Sequence, residues 1–169
     1  MKTDRQGYTL IQLLVAVALL GVIALVVTPD ITNSMEVRGL ENAVREMMIT
    51  MERAKFQAIK TKLNHRVRFD NSMGPWVMLM EQETATGVWD RIPGQLEKSV
   101  PEKFNLTLNL PSADTSVVFS PMGMVLNYDQ NNHSIVLQSD RMRRHGQEDQ
   151  REVVFYFGGS LRFIKSSSG

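Results

Sequence analysis

Apolar residues crowd into the first thirty positions. From Gln6 to Pro29 there is no charged residue, a run of 24, and 17 of the 20 residues from Tyr8 to Val27 are apolar. Twenty helical residues span about 30 Å, the thickness of a bilayer's hydrocarbon core. A buried core helix seldom runs so long without charge. A secretory signal would suit Lys2 and Arg5, yet Val27-Thr28-Pro29-Asp30 offers no small-residue cleavage site. A retained membrane helix fits best. The basic residues before it place its N-terminus in the cytoplasm and the remaining chain outside.

After Pro29 the period becomes that of an amphipathic helix. Leu40, Val44, Met47, Met51, Ala54 and Ala58 recur at spacings of four and three, with Ala43, Met48, Ile59 and Leu63 widening the stripe. The methionines read as gap-filling core rather than as a ligand stripe. If the helix is continuous from Tyr8 to Leu63, its 56 residues measure about 84 Å. Gly39 and the pair Asn33-Ser34 are weak points in it.

From His65 onward the period is two. Val67–Phe69, Trp76–Met80, Phe104–Leu110, Val117–Phe119, Met124–Leu126 and Ile135–Leu137 read as short strands. Val153–Phe157 and Leu161–Ile164 flank Gly158-Gly159, a hairpin turn. Gly74-Pro75, Pro93-Gly94, Pro101, Pro111 and Asp129–Asn132 punctuate the series. The expected fold is therefore α+β, a long N-terminal helix on antiparallel strands. It divides into residues 1–7, a membrane or filament-core helix 8–29, and a globular domain 30–169 with its helix at 30–63 and strands at 65–165.

The residues before the apolar run read Lys2-Thr3-Asp4-Arg5-Gln6-Gly7-Tyr8-Thr9-Leu10-Ile11-Gln12. This resembles the class III signal of type IV prepilins and type II secretion pseudopilins. The resemblance implies cleavage by prepilin peptidase between Gly7 and Tyr8, and N-methylation of the new terminus at Tyr8. The family's usual glutamate at the fifth mature position is Gln12 here. Glutamine keeps hydrogen-bonding capacity but loses the ion pair that the resemblance would place between subunits, which points to a low-copy or tip subunit. Pro29 stands where pilins also carry a proline, and its ring should kink the helix.

The segments around Leu40–Phe69, Val117–Met124 and Val153–Phe163 look like one subgroup, the minor pseudopilin H of type II secretion and the FimT/FimU-type minor pilins. The resemblance implies the pilin fold, a structural role without enzymatic activity or cofactor, and partners among other pseudopilins or pilins. An inner-membrane assembly platform and, before assembly, inner-membrane lipid complete the set. Protein export through a pseudopilus is the first function implied. A FimT/FimU-type role in pilus assembly or DNA uptake is the alternative.

Composition adds limits. The 169 residues carry 19 Lys+Arg against 18 Asp+Glu and no cysteine. This disfavours a nucleic-acid binder held by bulk charge and excludes disulfides and cysteine-based metal sites or nucleophiles. Removing the leader with Lys2, Arg5 and Asp4 leaves 17 basic and 17 acidic residues. His65, His133 and His145 lack metal-ligand spacing and read as solvated. Ser120-Pro121-Met122-Gly123 reads as a turn rather than a nucleophile elbow, and Asp129–Asn132 as a turn rather than a calcium loop. The best partner or DNA contact is the basic set Arg141, Arg143, Arg144 and Arg162, near Arg151 and Lys165. Of the G-R-x-R-like element of DNA-binding FimT-type pilins, Gly159-Ser160-Leu161-Arg162 keeps only the second arginine, so DNA is the disfavoured partner. Ser139–Gln150 reads as a solvated polar loop.

Overall fold

The computed structural model describes residues 9–110 and 114–167, with the side chains of 24–31 outside the description. Helix α1 runs from Leu10 to Thr61 and includes the backbone of Pro29. The elements after it are β1 (His65–Asp70), β2 (Val77–Ala85), β3 (Val88–Arg91), β4 (Lys98–Ser99), β5 (Asn105–Asn109), β6 (Ser116–Phe119), β7 (Ser134–Gln138), α2 (Asp140–Arg144), β8 (Gln150–Phe155) and β9 (Leu161–Ser166). The chain divides into two units, residues up to Val37 and residues from Arg38.

In the second unit the predicted helical stripe is the core. Leu40, Val44, Met47, Met51, Ala54 and Ala58 are fully or almost fully buried. They pack with the inward positions of the strands, among them Val67 and Phe69 of β1, Phe119 of β6, Leu137 of β7 and Phe155 of β8. The stripe is narrower than its sequence suggests. Ile59, still within α1, and Leu63, beyond the helix end at Thr61, lie outside it and are exposed. Lys62 turns the chain out with a left-handed φ of 62°, and its N–H donates to the Ala58 carbonyl. α1 runs through Gly39, where a Cβ would meet Phe104 at 3.5 Å and the Lys103 ammonium at 3.2 Å.

The strands form two antiparallel sheets. One has the order β3-β2-β1-β6, with β4 on the start of β2, and the other β5-β7-β8-β9. β1 sits centrally in the first, pairing Val67 with Met80 on one side and Val117 on the other. Met124–Leu126 is not a strand: a single bridge joins Val125 to Phe119. Asn127 explains why pairing stops there. Its side chain accepts the Val118 N–H at 3.0 Å and donates to the Ser116 carbonyl at 2.7 Å, so an amide group satisfies the β6 edge in place of a further strand.

The polar stretch after β7 is a docked helical turn rather than a solvated loop. Ser139 caps α2 by accepting the Met142 N–H, and the Met142 side chain is buried beneath it. Asp149, at the far end, is buried and accepts from the Gln138 amide.

Candidate functional site

Every large aliphatic side chain from Leu10 to Ile23 is 54–75% exposed. They cover all sides of α1, broken only by Gln12, Gly21 and alanines. A helix apolar all round is one that other apolar matter covers. Among the described residues no helix is long and apolar enough to cross a membrane. The span expected from the sequence also includes Tyr8 and residues 24–29, whose side chains lie outside the described residues. Gly7, Tyr8 and the leader fall outside them as well, as does the side chain of Pro29.

Gln12 has a local task. Its side-chain oxygen accepts the Thr9 N–H at 3.0 Å, and the Thr9 hydroxyl accepts the Gln12 N–H at 3.4 Å. In this reciprocal capping box the Gln12 side chain satisfies the Thr9 N–H, while the Gln12 N–H is shared between the Thr9 hydroxyl and the Thr9 carbonyl at 3.0 Å. The signature, Thr followed three residues later by Gln, was present in the sequence.

Three stretches that carry the family resemblance meet in the second unit. The turn Ser120–Gly123 closes with Gly123 N–H donating to the Ser120 carbonyl at 2.8 Å. It lies against the β8–β9 turn, where Val125 N–H donates to the Phe157 carbonyl and Gly159 N–H to the Tyr156 carbonyl. The Lys55 ammonium of α1 donates to the Gly159 carbonyl at 2.9 Å and ties the turns to the helix. Gly159 has φ +72°, and a Cβ on it would stand 2.0 Å from the Gly123 carbonyl oxygen. No other residue type fits there.

The basic residues do not form one face. Arg141, Arg143 and Arg144 are exposed on α2, with Arg143 paired to Asp140 at 3.0 Å, and Arg162 is exposed on β9. Arg151 is buried and donates to the Glu148 and Gln150 carbonyls. Lys165 binds Glu41 at 2.5 Å and, by hydrogen bond and charge, holds that carboxyl below its usual pKa.

Two of the three histidines are not solvated. His65 opens β1 at an inward position and is 1% exposed, its Nδ1 donating to the Leu63 carbonyl at 3.1 Å. Burial lowers its pKa. The His133 ring packs among Tyr128, Phe155 and Tyr156 at centroid distances of 5.7–6.5 Å. Only His145 is exposed, at the end of α2. The strand periodicity of His65-Arg66-Val67-Arg68-Phe69 could have placed His65 on the buried face.

On the outer face of the first sheet, the nearly buried Glu81 holds Arg66 at 2.6 Å and Arg68 at 3.2 Å, while Arg66 stacks on Trp89 at 4.4 Å. Asp70 is held at a pKa of about 2 by the Ser72 hydroxyl and N–H and by Arg68. The Asp129 carboxylate is engaged by the Asn131 N–H and the Asn132 amide, an Asx turn. Among the described residues no group of three His, Asp or Glu side chains is placed to hold a metal ion.

No protein-family model matches the sequence, and neither does any curated protein. Two structures of the minor pseudopilin EpsH from the type II secretion system of Vibrio cholerae match the fold. One is 15% identical, with a TM-score of 0.57 over 75% of this chain and 96% of that chain. The other is 16% identical, with a TM-score of 0.55 over 78% and 97%. The helix packed on antiparallel sheets is thus the α+β, pilin-like fold of a minor pseudopilin.

Proposed function

We propose that this chain is a minor pilin-like subunit of a secretion pseudopilus. The observation that carries the reading is the all-round apolar, exposed helix Leu10–Ile23 preceding a pilin-like domain. Before assembly, inner-membrane lipid covers the helix, and the domain from residue 30 onward lies in the periplasm. In the filament, the helices of sibling subunits cover it instead. Exchanging lipid contacts for protein contacts carries no large hydrophobic penalty. Prepilin peptidase removes residues 1–7 at Gly7 and leaves Tyr8 as a methylated terminus. The subunit is of tip or low-copy type, since Gln12 brings no carboxylate to the terminal amine of a neighbour. An inner-membrane assembly platform lifts it into the filament, and it serves protein export without enzymatic activity.

Mass spectrometry of the chain purified from membranes tests this. The expected species begins with methyl-Tyr8, and Gly7→Val leaves the leader in place. A Gly7→Val chain that still matures to Tyr8 refutes the assignment. A second reading, DNA capture by a FimT/FimU-type pilin, draws on exposed Arg141, Arg143, Arg144 and Arg162. It requires salt-sensitive DNA binding that is lost when Arg143 and Arg144 are replaced.

A further inference from the structure

Between α1 and β9 runs an apolar groove. One part, about 370 Å³, is lined by Arg45, Met48, Ile49, Glu52 and Phe163. The next, about 450 Å³, is lined by Glu52, Lys55, Phe56, Ile59 and the segment Gly159–Leu161. The two share Glu52. Ile49 and Phe56 are exposed on its helical wall.

The other wall is a strand edge. β9 is the last strand of its sheet. In the β8–β9 hairpin, Tyr156 N–H donates to the Ser160 carbonyl at 3.0 Å, and Val154 opposes Arg162. Antiparallel pairs alternate between bonded and non-bonded, so Arg162, Ile164 and Ser166 turn their backbone groups toward β8. Leu161, Phe163 and Lys165 turn theirs away from it, toward the open edge. Where Asn127 fills the β6 edge, no strand among the described residues neighbours β9 on this side. Leu161 and Phe163 are also the β9 side chains that line the groove.

We infer that this groove is a strand-addition site for an extended segment of a partner protein, with an acidic residue between two apolar ones. An added strand bonds to the open groups of Leu161, Phe163 and Lys165. Its apolar side chains at i and i+2, about 6.8 Å apart, enter the two parts of the groove beside Leu161 and Phe163. The intervening residue faces the opposite side of the sheet, directly across from exposed Arg162, where a carboxylate forms a cross-strand pair. Main-chain bonds supply affinity, and the two apolar positions with the central acid supply selection. The inference is independent of the filament reading, since it uses only residues 45–165 of the second unit.

The test uses the full chain in lipid nanodiscs and a capped heptapeptide probe. The probe carries valines at its third and fifth positions, glutamate at its fourth and threonine elsewhere. Amide exchange followed by NMR should slow at least tenfold at Leu161, Phe163 and Lys165, with little change at the already bonded Arg162 and Ile164. Lys165→Pro, which removes one outward N–H, should weaken binding at least tenfold, whereas Lys165→Ala should bind as the parent does. Ile49→Glu should weaken it through the other wall, and a peptide with its valines adjacent should bind at least tenfold more weakly. Absence of binding at millimolar probe overturns the inference. So does equal binding by Lys165→Pro, equal binding of the rearranged peptide, or binding that leaves the three edge amides unprotected, as a docked helix would.

Discussion

Replacing Gly159 by alanine tests the junction of the Ser120–Gly123 turn, the β8–β9 turn and Lys55. Two costs arise separately. The backbone at φ +72° is one that an L side chain adopts at about 1 kcal/mol or more. The added Cβ would stand 2.0 Å from the Gly123 oxygen, against ordinary contacts of 3.4 Å or more, so one turn must retreat by about 1.4 Å. That retreat strains the bonds from Lys55 to the Gly159 carbonyl and from Gly159 N–H to the Tyr156 carbonyl, each worth about 1 kcal/mol. With the overpacking itself, the expected loss is about 3–4 kcal/mol. Two alanine controls divide the terms. Gly87 has φ +77° but open space around it and should lose about 1 kcal/mol. Gly158 has neither constraint and should change by less than about 0.5 kcal/mol. Thermal unfolding of the full chain in micelles can be followed by the fluorescence of Trp76 and Trp89. Gly159→Ala should lower Tm by roughly 10 °C. If Gly159→Ala and Gly87→Ala unfold within a degree or two of each other, the two turns are not in contact as described.

Glu81→Gln leaves two partly buried guanidinium groups sharing a neutral partner, although Arg68 keeps Asp70 and Arg66 keeps Asp114. Urea unfolding should show a loss of about 2 kcal/mol, and an unchanged midpoint would mean that Glu81 does not hold them. The buried His65 resists protonation in the folded state but not in the unfolded one, so its contribution is fully present above pH 6.5 and declines as the pH falls below it. His65→Gln should therefore flatten the fall in Tm between pH 7 and pH 5, and an identical slope would refute the assignment.

Elements with strong periodicity were legible in the sequence, and those made by distant contacts were not. The helical stripe Leu40–Ala58 and the hairpin at Gly158-Gly159 follow from spacing and turn chemistry within a few residues. The strand forecast at Met124–Leu126 failed because Asn127, a single amide, takes the bonds that a strand would have used. α2 was hidden because its anchor, Met142, is one apolar residue among six charged or polar neighbours. Arg151 looked like a member of a surface cluster, yet its alternation with Val153 and Phe155 on β8 turns it inward. Of the exposed apolar surfaces, the N-terminal helix was plain from the absence of charge. The α1–β9 groove was not, since it pairs residues more than a hundred positions apart.

The methionines differ widely in their access to solvent. Met47, Met51, Met78 and Met142 have almost no exposure, while Met35, Met73 and Met122 stand open. Peroxide can therefore convert the outer thioethers to sulfoxides while the interior ones stay reduced until the domain opens. Their order of oxidation is a chemical clock of local unfolding. In a chain without cysteine, sulfur chemistry begins at sites where it leaves the packing intact.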